Sequence, residues 1–139
     1  QNNSFFGSIP SQVGLLTNLK WAYFAYNQLT EPIPEELASL VDLRALVLQS
    51  NFLKGSIPDL SSLDQLEYAF FGLNNLTGTI PVDVVTSWQS LKILDFGNND
   101  LSGTLPAEID LLENLQHMDL FNNTLSGTDP TELGKLVNA

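Results

Sequence analysis

The sequence contains no cysteine, one histidine, one methionine and only five lysine or arginine residues among 139. Without cysteine, no disulfide and no thiolate metal site can form within these residues. The redox compartment stays open. Against the few basic residues stand 16 acidic ones, for a net charge of −11. Such a field repels phosphate backbones and anionic headgroups, so nucleic acid is not an expected partner. No apolar run approaches the roughly 18 residues that cross a bilayer, and the opening residues do not read as a signal peptide. What is present is a hydrophobic fraction of 43%, which suits a globular chain with room for one core.

The chain repeats itself. Asn3, Asn27, Asn51, Asn74, Asn99 and Asn123 are separated by 24, 24, 23, 25 and 24 residues. Two residues after each stands Phe5 or a leucine (Leu29, Leu53, Leu76, Leu101, Leu125). Four residues after each stands Gly7, Glu31, Gly55, Gly78, Gly103 or Gly127. An apolar residue and a proline follow, as in Leu105-Pro106, except that the last pair is Asp129-Pro130. Upstream, apolar residues are spaced as in Leu43, Leu46 and Leu48, or Leu91, Leu94 and Phe96. Alternation over the last two of these marks a short strand with one buried face. A unit this small cannot close a core alone, so successive units must stack into a solenoid with a parallel sheet on one side. The asparagine suits turn backbone that would otherwise be buried unpaired, and the proline suits the start of a short helix.

The pattern LxxLxLxxNxLxGxIPxxLxxLxx resembles the plant-type leucine-rich repeat of receptor-like-kinase ectodomains and polygalacturonase-inhibitor-like proteins. The resemblance covers a partial repeat at 1–18 and then 19–42, 43–65, 66–90, 91–114 and 115–138, one solenoid segment over residues 1–139. It implies an α/β solenoid: a right-handed superhelix with a parallel β-sheet on the concave face and short helical or 3-10 segments on the convex side. It also implies an extra short strand at Leu-x-Gly-x-Ile-Pro.

Departures from the pattern carry expectations. Glu31-Pro32 should distort the turn of its repeat. One residue is missing near Asp59 to Ser62, and one is added near Val85 to Ser87, before Trp88 fills an apolar slot. Asp129 in an apolar position should leave the last turn open to solvent. The cysteine-paired end caps of the family are absent, which suggests a segment of a longer protein or a chain covered at its ends.

The strand residues that point away from the core would line the concave face. The first three strands present Trp21, Tyr23, Tyr26, Val47, Tyr68, Phe70 and Leu73, an apolar stripe rich in interface anchors. The later strands present Ile93, Asp95, His117, Asp119 and Phe121. A one-residue slip would exchange the faces and expose Leu46, Leu48, Leu94 and Phe96 instead. Asp95 and Asp119 occupy equivalent positions; such a pair suits a cation or a basic partner residue better than glycoside hydrolysis on an open face. Lys20, Arg44, Glu67, Lys92 and Gln116 form one rim. Ser8, Pro32, Ser56, Thr79, Thr104 and Thr128 form an interrupted hydroxyl row of the kind found in ice-binding solenoids. Asn2, Asn75 and Asn122 head glycosylation sequons.

The expected function is therefore non-catalytic recognition of a protein or peptide through the aromatic concave face. The alternative is a structural subunit docked in a larger assembly, and an ice-binding or carbohydrate-related role is a minor one. Nothing calls for a cofactor or a metal. The resemblance favours an extracellular or secretory setting, with an organellar or intracellular complex as the alternative.

Overall fold

The computed structural model describes residues 3–127. Expectations that rest on Asn2, Thr128, Asp129 and Pro130 lie outside the described residues. Five repeats open with a three-residue strand: β2 (Trp21–Tyr23), β4 (Ala45–Val47), β6 (Tyr68–Phe70), β8 (Ile93–Asp95) and β10 (His117–Asp119). They form one parallel sheet in chain order, β2-β4-β6-β8-β10. Register is kept repeat for repeat, so Tyr23, Val47, Phe70, Asp95 and Asp119 stand side by side.

A second set of strands lies on the Leu-x-Gly segments. Here β1 (Phe6–Gly7) pairs with β3 (Gln28–Leu29), while β5 (Lys54–Gly55), β7 (Asn75–Gly78), β9 (Asp100–Thr104) and β11 (Thr124–Ser126) form a separate parallel sheet. The break falls at Glu31-Pro32, where a distorted turn was expected, and an isolated bridge joins Pro32 to Lys54 there. The physical reason is conformational. The glycine of the other turns adopts φ between +79° and +103°, a region glutamate does not enter here. Proline then supplies no N–H to the ladder.

Differences in repeat length are absorbed opposite the strands. The 24-residue spacings contain 3-10 segments at Ser11–Leu15, Glu35–Ser39 and Ala107–Leu111, each immediately preceded by its proline. The added residue of the 25-residue spacing converts this turn to an α-helix, α1 (Val82–Ser87), in which the Trp88 N–H bonds the Val84 carbonyl at 3.2 Å. The missing residue leaves a turn at 59–62 in which the Ser61 N–H bonds the Asp59 carboxylate at 3.0 Å. The Ser61 side chain, and after it that N–H, hold the Asp59 carboxyl below its ordinary value.

The interior is one continuous cluster. Leu43, Leu46, Leu48, Leu53, Leu60, Leu63 and Leu66 are all fully buried. Phe71 lies between Phe96, at 5.2 Å between ring centres, and Trp88, at 6.4 Å. Trp88 fills its apolar slot, and its Nε1–H donates to the Leu60 carbonyl at 3.1 Å, so its polar edge is not stranded.

The asparagines bind one coil to the next. Asn51 donates from Nδ2 to the Leu48 carbonyl of its own coil and the Phe24 carbonyl of the preceding one, both at 3.0 Å. Its Oδ1 accepts the Leu29 N–H at 3.1 Å. Asn74 and Asn99 repeat this buried pattern, and Asn123 continues it. Asn51→Ala would leave the buried Leu29 N–H unpaired and take one of two amide donors from the Leu48 and Phe24 carbonyls, which keep Asn74 and Asn27. We expect a loss of about 3 kcal/mol in urea denaturation, against little change for Thr30→Ala, whose side chain is exposed.

Candidate functional site

The outward face of the five-stranded sheet is built from two rows. Trp21, Ala45, Tyr68, Ile93 and His117 form one; Tyr23, Val47, Phe70, Asp95 and Asp119 form the other. Leu46, Leu48, Leu94 and Phe96 are buried on the opposite side, which excludes the slipped register. Trp21 and Tyr23 are 56% and 51% exposed. Tyr68 and Phe70 are half-buried, because they pack on a small cluster of Ala25, Ala45 and Val47.

This corrects the expected stripe at one position. Val47 is 7% exposed and belongs to the floor rather than to the surface. A valine between Tyr23 and Phe70 on adjacent strands is covered by its larger neighbours, which spacing alone does not reveal.

Tyr26, Ser50, Leu73, Asn98 and Asn122, each just before its asparagine, take φ between +54° and +57°. For tyrosine and leucine this is an unfavourable region, held here because every coil imposes the same turn. Tyr26 and Leu73 remain about half exposed, and the Tyr26 hydroxyl accepts from Gln49 Nε2 at 3.1 Å. Sequence reasoning assigned these residues to the face but missed their backbone. The asparagines at 98 and 122 were the available signal, since asparagine tolerates left-handed geometry.

On the later strands the face turns acidic. Asp95 and Asp119 are neighbours in register, with His117 exposed beside them. Each carboxylate accepts a backbone N–H two residues on: Gly97 to Asp95 Oδ1 at 2.9 Å, and Phe121 to Asp119 Oδ1 at 2.8 Å. Each also lies against a glycine of the preceding coil. A Cβ placed on Gly72 would stand 2.5 Å from Asp95 Oδ1, and one on Gly97 would stand 3.0 Å from the Asp119 carboxylate. Burial holds the Asp95 carboxyl above its ordinary value, with the Asp119 charge adding to the effect; the Gly97 N–H and His117 oppose it. An open face was not expected to raise a carboxyl in this way. The close approach of the Gly72 coil is the reason it does. Phe121 projects beyond the pair, 75% exposed.

The rim is partly neutralised from within. Glu67 accepts from Arg44 at 2.8 Å and from Lys92 at 2.6 Å, which lowers its own carboxyl and raises Lys92. Lys92 also lies 5.8 Å from the centre of the Tyr68 ring. Among the sequons, Asn75 is exposed on the second sheet, and Asn122 is exposed with its Nδ2 on Asn98 Oδ1 at 3.1 Å. The hydroxyl row survives as exposed Ser56, Thr79 and Thr104, beyond the break at Pro32. Among the described residues, no group of three His, Asp or Glu is placed to hold a metal ion, and no helix is long and apolar enough to cross a membrane.

The Leucine Rich Repeat family profile matches residues 18–40, 90–112 and 114–136. The leucine-rich-repeat ectodomain of the receptor kinase SOBIR1 from Arabidopsis thaliana superposes with a TM-score of 0.83 at 30% identity, over 94% of this chain and 70% of that one. This chain belongs to the leucine-rich-repeat family. Its curated relatives are receptor-like proteins and a probable receptor-like kinase of Arabidopsis thaliana, 33% to 36% identical, and the chain spans about a tenth of their length. The Arabidopsis receptor kinase HAESA, solved with the peptide hormone IDA and the co-receptor SERK1, superposes with a TM-score of 0.90 at 33% identity, over 98% of this chain and 23% of that one. A plant ice-binding protein gives 0.86 at 32%, over 94% and 42%.

Two outcomes test the acidic end of this leucine-rich-repeat face. Gly72→Ala should cost about 1–2 kcal/mol by displacing the Asp95 carboxylate, and less in an Asp95→Ala background, so a double-mutant cycle should show coupling. Carboxyl NMR titration should place Asp95 above ordinary aspartates. Asp119→Asn should lower it only part of the way, because burial is the larger cause.

Proposed function

We propose that this chain is a non-catalytic recognition module that takes a protein or peptide ligand on its concave strand face. One observation carries the reading. Trp21, Tyr23, Tyr26 and Leu73 are exposed large side chains around Tyr68 and Phe70, which are half-buried on a floor of Ala25, Ala45 and Val47. Contiguous apolar surface of this kind marks interaction sites, and tyrosine and tryptophan contribute most of the energy in such contacts. The HAESA complex with a peptide hormone, on the same scaffold, supports a peptide in particular.

Catalysis by Asp95 and Asp119 fits less well. Neighbouring strands set them about 5 Å apart, the spacing of a retaining glycosidase pair. Yet both stand on an open strand face, where solvent would surround a bound sugar, and a turn amide already holds one oxygen of each. Ice binding has the plant ice-binding neighbour in its favour, but the hydroxyl row is flanked by exposed Phe52, Lys54 and Asp100 and is interrupted at Pro32.

The test is selection of binders from a displayed library of extended peptides against the immobilised protein. For a selected binder, alanine at Tyr23, Tyr68 or Phe70 should each weaken affinity about 30-fold, or roughly 2 kcal/mol. Thermal melting of Tyr23→Ala should be unchanged, since that ring is half exposed. Affinity unaltered in all three variants would remove the proposal.

A further inference from the structure

Resting on the reading of this face as a peptide site, we infer that its ligand has a direction: apolar side chains over β2 to β6, and a lysine or arginine side chain over Asp95 and Asp119. The inference comes from one row of the sheet. Tyr23, Val47, Phe70, Asp95 and Asp119 stand in register on successive strands, so a segment crossing the strands passes from aromatic to acidic ground.

Like charges directly opposite one another in a sheet are unfavourable unless something compensates them. Among the described residues neither carboxylate has an ion-pair partner, whereas Glu67 on the rim has two. Each aspartate uses Oδ1 for its own turn, which fixes the carboxylate and leaves Oδ2 for a ligand. A cation between the two would be held by acceptors fixed in their turns, and the chain's net charge of −11 would favour its approach. The spacing is also right for one strand of peptide. The midpoint of the pair is about 7 Å from Phe70, roughly two residues of extended chain, so both side chains would face the sheet.

The experiment is a positional-scanning library of N-acetylated, C-amidated hexapeptides against the full chain; the blocked ends ensure that the cation read is a side chain. We expect lysine or arginine to be enriched two positions from an aromatic or aliphatic residue. Alanine at the basic position should weaken binding tenfold or more, and added salt should do the same in part. Asp95→Asn with Asp119→Asn should erase the basic preference. Asparagine keeps the Oδ1 acceptor for both turns, and melting checks that the fold is retained. Binders without a basic residue, or a basic preference that survives the double variant, would overturn the inference while leaving the apolar site in place. Failure to select any binder, or binders indifferent to Tyr23→Ala and Phe70→Ala, would instead overturn the peptide reading and this inference with it.

Discussion

Backbone pairing between coils is the constraint on which everything else depends. A three-residue strand has no partner within its own repeat, so its N–H and C=O groups are satisfied by the coil before and the coil after. The buried asparagine extends the same requirement into the turn. It bonds its own coil and the preceding one together, so moving one turn would strand polar groups in two. This forces strict register in the strands, and it exports variation in length to the opposite side. A coil can lose a residue at 59–62 or gain one at α1 without shifting Phe70 relative to Asp95.

Fixed register also explains the face. Because equivalent residues of successive repeats must be neighbours, the chemistry of a row can be written one residue at a time. The floor under the aromatic half consists of Ala25, Ala45 and Val47, small enough for Tyr68 and Phe70 to settle on it without leaving the surface. The acidic half uses the same device with glycine. Asp95 settles against Gly72, and Asp119 against Gly97, in space that any side chain would fill. In both halves a small residue in one coil makes room for a larger or charged one in the next, so the shape of the face is set by pairs rather than by single positions.

The architecture was legible in the chain because each element is demanded by a recurring residue type. The asparagine period and the proline yielded the sheet and the helical turns, the family resemblance implied the second strands, and Glu31-Pro32 marked a distorted turn, which proved to be where the second sheet breaks. The orientation of the strand face was legible for the same reason. What could not be read were properties set by neighbours 20 or more residues away. Val47 looks exposable in its own repeat and is buried by adjacent ones. Asp95 looks like a free surface charge, yet the coil of Gly72 raises its carboxyl and its own turn holds one oxygen. The left-handed backbone of Tyr26 and Leu73 follows from the stacked turn, and their own residue types argue against it.

That last point bears on why such residues are present. Left-handed backbone is easier for asparagine than for tyrosine or leucine, and the later repeats do use Asn98 and Asn122. The earlier repeats place Tyr26 and Leu73 there, at a conformational cost and with large apolar side chains facing water. Stability of the free chain gives no reason for either choice. A surface completed by a ligand would, since both residues border the aromatic row of the face. The left-handed backbone of Tyr26 and Leu73 therefore falls beside the same row as the exposed aromatic rings.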